Sequence, residues 1–153
     1  MFFIKKKDGS LRLVVDFRAL NAITQPDSYP IPLTNELLDR LKAAKVFTTL
    51  NMRWGYYNVR VHDGDEWKTS FRTQYGQFEF LVMQFGLRNA PAAFQRMVNG
   101  LFHDLVDVNV VLYLDNIIIF SSDPTKHDDD EVREVLHRLR EADLFLKPEK
   151  GQF

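Results

Sequence analysis

The chain has 153 residues, of which 45% are hydrophobic and 27% charged, and its formal net charge at pH 7 is −1. This length suits one sizeable core, and the sequence has no apolar run of about 18 residues that would span a membrane. The absence of cysteine excludes disulfides and thiolate zinc sites. We therefore expect one intracellular domain, cytoplasmic or nuclear, that does not bind membranes. The short apolar start of the chain does not fit a signal peptide.

Charge is distributed unevenly along the chain. Residues 1–72 contain twelve Lys and Arg against eight Asp and Glu, whereas residues 73–153 contain eight against thirteen. A basic front half could face phosphate groups although the total charge is nearly neutral. Charges scattered over a solvated surface would give the same counts, so the charge alone leaves both interpretations open.

The first third of the chain predicts a strand pair, a loop and a helix. Asp8-Gly9 is a hairpin turn signal, with residues 11–17 as the second strand and Phe3-Ile4 pairing with it. The Pro, Asn and Asp residues in 21–32 predict an extended loop. Thr34 can then cap a helix whose leucines recur at helical spacing.

The middle of the chain predicts four short strands and one long helix. The strands are expected at 47–50, 56–61, 68–72 and 78–82, since the last three flank turn signals that contain glycine. A helix is expected from Pro91 to about residue 105, because proline suits a first helical turn and the apolar residues after it recur every three or four positions.

Residues 110–120 carry the strongest local pattern, in which two apolar, β-branched-rich runs flank the polar pair Asp115-Asn116. This pattern predicts a buried β-hairpin with a carboxylate at its tip. A helix is expected to start at 122–124, with the acidic run 128–131 in its first turns. Strands and helices that do not strictly alternate predict an α+β fold, an antiparallel sheet with helices packed on one face.

Several long motifs follow one another along the chain. They lie at 5–12, 15–21, 29–32, 50–56, 78–95 and 113–116. In content and order they resemble the fingers–palm region of a reverse transcriptase, most similar to the gypsy-type long-terminal-repeat retrotransposons of fungi. The resemblance covers essentially all 153 residues, which makes it far more specific than any single motif.

The resemblance implies a reverse-transcriptase-like fold with fingers at about 1–46 and 64–90 and a palm at about 47–63 and 91–153. It also implies that the thumb, connection and ribonuclease H of the family are absent from this chain. Their absence would uncover apolar surface and favour a homo-oligomer. The implied activity is RNA-directed DNA polymerisation, with an RNA or DNA template-primer and deoxynucleotides as partners.

Five residues have nucleotide-binding roles by this resemblance. Lys6 and Arg12 would hold the triphosphate through contacts between cations and phosphate oxygens. Tyr56 would be the steric gate that rejects a 2′-hydroxyl, and Phe85 and Gly86 would line the nucleotide pocket. From the residues alone, the alternatives are that the lysines form only a solvated turn and that Tyr56 packs within a strand.

The three acidic positions of the family's catalytic site fall at Asn51, Asp115 and Asn116. In the family, carboxylates at these positions bind two Mg²⁺ (or Mn²⁺) ions, whereas this chain keeps only Asp115, with Asn51 as a weak second ligand. An amide oxygen can bind Mg²⁺ but does not offset its charge. We therefore expect weak or absent metal binding and low or absent polymerase activity. Asp115-Asn116 also suits a plain hairpin turn, because Asn tolerates a positive φ.

Three functions remain open at this point. The chain could be a polymerase domain, a non-catalytic module that kept the fold and binds nucleic acid, or a self-associating domain with no nucleic-acid role. Binding that weakens steeply with salt would separate the second function from the third. Primer extension would separate the first function from both.

Overall fold

The computed structural model describes residues 2–5 and 9–152, except the side chains of Asp128 and Asp129. The chain forms two compact units, one of Met1–Asp27 and Tyr56–Ala90 and the other of Ser28–Gly55 and Pro91–Phe153. The division into fingers and palm at the residues given above stays a prediction.

The first unit contains two antiparallel strand pairs. Strand β1 (Phe2–Lys5) pairs with β2 (Leu11–Val14), so that Phe3 faces Leu13 and Ile4 faces Arg12. This pairing confirms the predicted one, although β2 ends three residues earlier than expected. The predicted turn falls partly on Asp8, which lies outside the described residues, while Gly9 adopts a φ of +84°. After a short helix α1 (Arg18–Ile23), the second pair is formed by β4 (Phe71–Thr73) and β5 (Gly76–Phe78).

Three predictions for the first unit were wrong in detail. Residues 56–61 do not form a strand, because the chain turns through a 3₁₀ segment, Gly55–Asn58, entered at positive φ. A second 3₁₀ turn, Glu66–Thr69, replaces the first two residues of the strand expected at 68–72, and only residues 71 and 72 belong to β4. The Thr69 hydroxyl donates to the Glu66 carbonyl at 2.7 Å. Of the strand expected at 78–82, only Phe78 belongs to β5. Local hydrogen bonding thus overrides the β-propensity of these aromatic and β-branched residues.

The second unit contains a three-stranded antiparallel sheet with the order β3-β7-β6. These strands are β3 (Val46–Asn51), β6 (Val110–Tyr113) and β7 (Asn116–Ser121), of which β6 and β7 form the predicted hairpin. Directly paired residues share a face of the sheet, so Thr48 and Leu50 lie beside Ile119 and Ile117, and all four are buried.

Helices of the second unit supply the other half of its core. They are α2 (Thr34–Leu41), α3 (Ala90–Leu101), the short α4 (Pro124–Lys126), a π-helical turn (His127–Val132) and α5 (Arg133–Glu141). Buried residues recur four apart in α3, at Phe94 and Val98, and again in α5, at Val135 and Leu139. The spacing of α3 continues to the buried Phe102, directly after the helix ends. This spacing confirms the helices predicted from apolar periodicity.

The ends of three helices differ from prediction. Thr34 is the first helical residue instead of the cap, because Leu33 takes the extended cap position. Helix α3 ends at Leu101 instead of near residue 105. The acidic run 128–131 lies in the π-helical turn, and α5 starts only at Arg133. The helix start at Asp123 is confirmed, since its carboxylate accepts from the Thr125 backbone N–H at 3.0 Å.

Candidate active site

The tip of the β6–β7 hairpin is a two-residue turn made of Leu114 and Asp115. The positive φ of the turn, +52°, falls at Leu114 and not at Asn116. The turn itself therefore does not require an asparagine at position 116. The Asp115 carbonyl accepts from the Met52 backbone N–H at 2.8 Å, which ties the tip to the end of β3.

Gln95 of helix α3 forms a hydrogen bond with Leu114, the residue of this turn with the positive φ. Its side chain is fully buried, and its Oε1 accepts from the Leu114 backbone N–H at 3.0 Å. Its Nε2 donates to the Leu112 carbonyl at 3.3 Å and to Asn99 Oδ1 at 2.9 Å. One side chain thus satisfies the backbone N–H of Leu114, which precedes Asp115, and the backbone carbonyl of Leu112.

Asn51 and Asn116 are directly paired across β3 and β7, and their amides form a hydrogen-bonded chain with Lys147. Lys147 Nζ donates to Asn51 Oδ1 at 3.0 Å, and Asn51 Nδ2 donates to Asn116 Oδ1 at 2.8 Å. An ammonium group can only donate, so it fixes the orientation of the Asn51 amide. That amide must then present its NH₂ group to Asn116.

The donor set of this chain does not fit a pair of divalent cations. Asn51 Oδ1 already faces an ammonium group, and Asn116 Oδ1 already accepts from Asn51. Asp115 is the one carboxylate among the three positions. Among the side chains that the structure describes, no group of three or more His, Cys, Asp and Glu is placed to hold a metal ion. Hard divalent cations bind to oxygen ligands, and carboxylates among them offset the charge. Here the two amide oxygens are already hydrogen-bonded, and an ammonium group lies beside one of them.

Four of the five predicted nucleotide-binding residues lie in the first unit, and three of them meet around one ring. The Phe85 ring centroid lies 4.8 Å from that of Tyr56, and the Arg12 guanidinium lies over the same ring at 4.7 Å. Tyr57 adds an edge-on contact to Phe85 at 5.5 Å. The fifth residue, Lys6, lies outside the described residues, so its predicted role stays a prediction.

Gly86, the fourth of these residues, sits in a tight turn beside helix α1. Its φ is +94°, and a Cβ built there would lie 3.7 Å from the Phe17 ring. The side chain of Asn21 donates to the Gly86 carbonyl at 2.7 Å and accepts from the Arg88 backbone N–H at 2.8 Å. Gly86, Phe17 and Asn21 line one open cleft. The left-handed backbone makes glycine the suitable residue at this position.

Sequence reasoning did not single out Lys147 or Gln95 as functional. Lys147 had no local signal, since its partner Asn51 lies 96 positions away in the sequence. Gln95 did leave a signal, because it is a polar residue next to Phe94 on the apolar side of a helix. A buried polar residue in such a place indicates a specific hydrogen-bonding task.

The chain belongs to the reverse transcriptase (RNA-dependent DNA polymerase) family, whose model matches residues 4–153. Transposon polyproteins Tf2-7 and Tf2-3 of Schizosaccharomyces pombe are each 39% identical to all 153 residues. The chain spans only 11% of each polyprotein. The shared stretch is a retrotransposon reverse transcriptase region.

Solved structures of a foamy viral protease-reverse transcriptase have the same fold. The prototype foamy virus enzyme superposes with a TM-score of 0.85 at 26% identity, over 99% of this chain and 20% of that one. A complex of a foamy viral enzyme with double-stranded DNA gives a TM-score of 0.89 at 23% identity, over 99% and 26%. These likenesses confirm the predicted α+β, reverse-transcriptase-like fold. Within residues 2–5 and 9–152, no helix is long and apolar enough to cross a membrane.

Proposed function

We propose that the chain is the reverse transcriptase region of a gypsy-type long-terminal-repeat retrotransposon polyprotein whose own polymerase activity is absent or strongly impaired. The single observation behind the impairment is the chain of hydrogen bonds from Lys147 through Asn51 to Asn116. In the family, two divalent ions at this place supply charge stabilisation for nucleotidyl transfer.

The charge balance at the hairpin tip supports this proposal. Three carboxylates would set −3 against the +4 of two divalent ions, whereas Asp115 alone supplies −1. The ammonium of Lys147 adds +1 next to Asn51. A cation entering this place would be repelled by Lys147 and would find amide oxygens that are already hydrogen-bonded.

The proposed partners are a template-primer and deoxynucleotides. The Arg12 side chain is exposed and can reach phosphate oxygens, while its guanidinium rests on the Phe85 ring. Tyr56 packs on the same ring at 4.8 Å, as a rigid gate beside a nucleotide pocket would. Structures of foamy viral relatives contain an RNA/DNA hybrid or double-stranded DNA, which supports nucleic acid as the partner class.

Primer extension on an RNA template tests the proposed impairment. The native chain and the variant Asn51→Asp/Asn116→Asp are compared in Mg²⁺ and in Mn²⁺. We expect at least about tenfold faster extension by the double variant, because metal ions bound by the added carboxylates would supply several kcal/mol of charge stabilisation in the transition state. Asn35→Asp, the same chemical change at an exposed position of α2, is the matched control and should behave as the native chain does.

One result would contradict this proposal. Equal and efficient extension by the native chain and the double variant would mean that the asparagines do not impair catalysis. Absence of extension by both would mean that a further feature of the chain also prevents catalysis. Salt-dependent binding of a labelled template-primer, measured in parallel, should be similar for the two proteins.

A second candidate function, self-association, is favoured by the β1–β2 ribbon. Phe2, Phe3, Ile4 and Leu11 are all between 48% and 61% exposed. A two-stranded ribbon has unpaired backbone groups along its edges, and its apolar side chains here lie in solvent. Both features favour pairing with a second copy of the chain. Light scattering on a size-exclusion column should then give a dimer that Phe3→Lys returns to a monomer. A native monomer at all concentrations would rule this function out.

A further inference from the structure

Trp54 is an exposed aromatic residue at the end of β3 that belongs to neither predicted site. Its side chain is 50% exposed, and its ring makes an edge-to-face contact with the ring of Phe145, with centroids 5.7 Å apart and planes at 69°. The guanidinium of Arg53 lies over the indole at 5.0 Å. Phe145 is itself 52% exposed. The pair therefore does not serve as core packing in this unit.

The backbone at Trp54 is strained, with a φ of +68°. Bulky residues rarely adopt this conformation. Hydrogen bonds on its N-terminal side hold it in place: the Met52 N–H donates to Asp115 at 2.8 Å, and the Arg53 N–H donates to Phe145 at 2.6 Å. Strained residues persist where the surrounding structure over-determines them, and they cluster at ligand clamps. The indole at this strained position is half exposed and lies next to a ring and a cation.

We propose that Trp54, Phe145 and Arg53 form a stacking platform for an unpaired nucleobase of single-stranded nucleic acid. Bases stack on exposed indole rings without regard to sequence, and a nearby guanidinium adds cation–π and phosphate contacts. An anionic strand complements Arg53, whereas an apolar protein surface would have to desolvate that charge. This inference rests on the proposed function only in taking nucleic acid as the partner.

Intrinsic fluorescence isolates this platform, because the chain has two tryptophans. Trp67 lies in the turn Glu66–Thr69, is 63% exposed and has the Lys68 ammonium 5.8 Å from its ring. Trp67→Phe leaves Trp54 as the only tryptophan, and Trp54→Phe leaves Trp67 as the matched control. Each protein is titrated with an oligodeoxyadenylate and with an abasic oligonucleotide of equal length and charge.

Stacking predicts that oligodeoxyadenylate quenches Trp54 strongly and that the abasic strand does not. Trp67 should respond equally to both strands. Trp54→Leu should weaken binding of the oligodeoxyadenylate about tenfold, while Trp54→Tyr, which keeps a stacking ring, should stay within about threefold. Circular dichroism of each variant verifies its fold. Titration with deoxyadenosine monophosphate shows whether the base of a free nucleotide also stacks on Trp54.

The failure of this proposal can be told apart from failure of the proposed function. If the strands bind but the Trp54 emission does not change, or changes equally with the abasic strand, the platform is refuted while nucleic-acid binding stands. If neither strand binds and the monophosphate leaves Trp54 unquenched, both the stacking platform and nucleic acid as the partner of this chain are refuted. Base-dependent quenching supports the platform whether or not the chain extends a primer.

Discussion

Lys147 Nζ lies 3.0 Å from Asn51 Oδ1 and donates a hydrogen bond to it across 96 positions of sequence. The contact joins the segment after helix α5 to the end of strand β3, where the Lys147 backbone N–H also donates to the Asn51 carbonyl at 2.9 Å. A neutral amide accepts this ammonium without any need for a metal ion. The hairpin site of this chain is therefore held together by hydrogen bonds of its own.

Removing this ammonium should weaken the second unit modestly. Lys147→Met deletes a hydrogen bond from a charged donor at a half-buried place, and we expect a loss of about 1 kcal/mol in the free energy of unfolding. Urea denaturation measures the loss. Lys150→Met, at an exposed lysine three residues further on, should change the free energy by much less, and an equal effect of the two substitutions would refute the assignment.

Introducing two carboxylates should make the stability of the fold sensitive to Mg²⁺. Asn51→Asp/Asn116→Asp provides three acidic groups at the hairpin tip together with Asp115, which suits a hard cation. A ligand that binds only the folded state at ten times its dissociation constant stabilises it by about 1.4 kcal/mol. Thermal unfolding with and without Mg²⁺ should therefore show a higher melting temperature for the variant and no shift for the native chain. A comparable Mg²⁺ shift in the native chain would contradict the assessment that its donor set does not fit the metal.

The buried amide of Gln95 should contribute to the free energy of unfolding, although it lies on an apolar face of its helix. Gln95→Leu leaves the Leu114 N–H and the Leu112 carbonyl without these partners, and an unsatisfied buried group costs about 1–3 kcal/mol. We expect a loss of about 2 kcal/mol in unfolding free energy. Gln77→Leu on the exposed strand β5 is the control and should lose far less; if Gln95→Leu is neutral, the turn does not depend on Gln95.

The ion pair between Asp104 and Arg138 should make stability depend on acid pH. Arg138 hydrogen-bonds both carboxylate oxygens and lowers the Asp104 pKa to about 2 from its usual 3.8. A carboxyl with a depressed folded pKa stabilises the fold above its unfolded pKa. The native chain should therefore lose this stability as the pH falls from about 4 to 2, and Asp104→Asn should flatten the profile in that window.

Asp16 is a second carboxyl with a lowered pKa, and its substitution is the comparison for Asp104→Asn. The Asp16 pKa is also lowered to about 2, but its partner Arg18 is only two residues away. An unfolded chain can form much of such a local pair, whereas Asp104 meets Arg138 only after α5 has docked on the end of α3. Asp16→Asn should thus change the pH profile of unfolding less than Asp104→Asn does. Equal effects would show that the sequence distance of the pair is irrelevant.

Short-range patterns in the sequence determine much of this fold. Alternating and apolar runs predicted the β1–β2 pairing and the β6–β7 hairpin, because side chains of a strand repeat every two residues. Apolar spacing of three and four predicted the helices that contain Phe94 and Val135. The motifs around Asp115 also indicated the family, while the assignment of Asn51 and Asn116 to acidic positions of its site stays a prediction.

Only the tertiary structure decided how those asparagines are used. No local pattern links Asn51 to Lys147 or Leu114 to Gln95, since each contact joins segments that meet after the sheet and helices have packed. The strained backbone at Trp54 likewise follows from hydrogen bonds to Phe145 and Asp115, far away in sequence. Hydrophobic periodicity is a property of neighbouring residues, whereas the polarity of this site arises from contacts that the sequence alone does not specify.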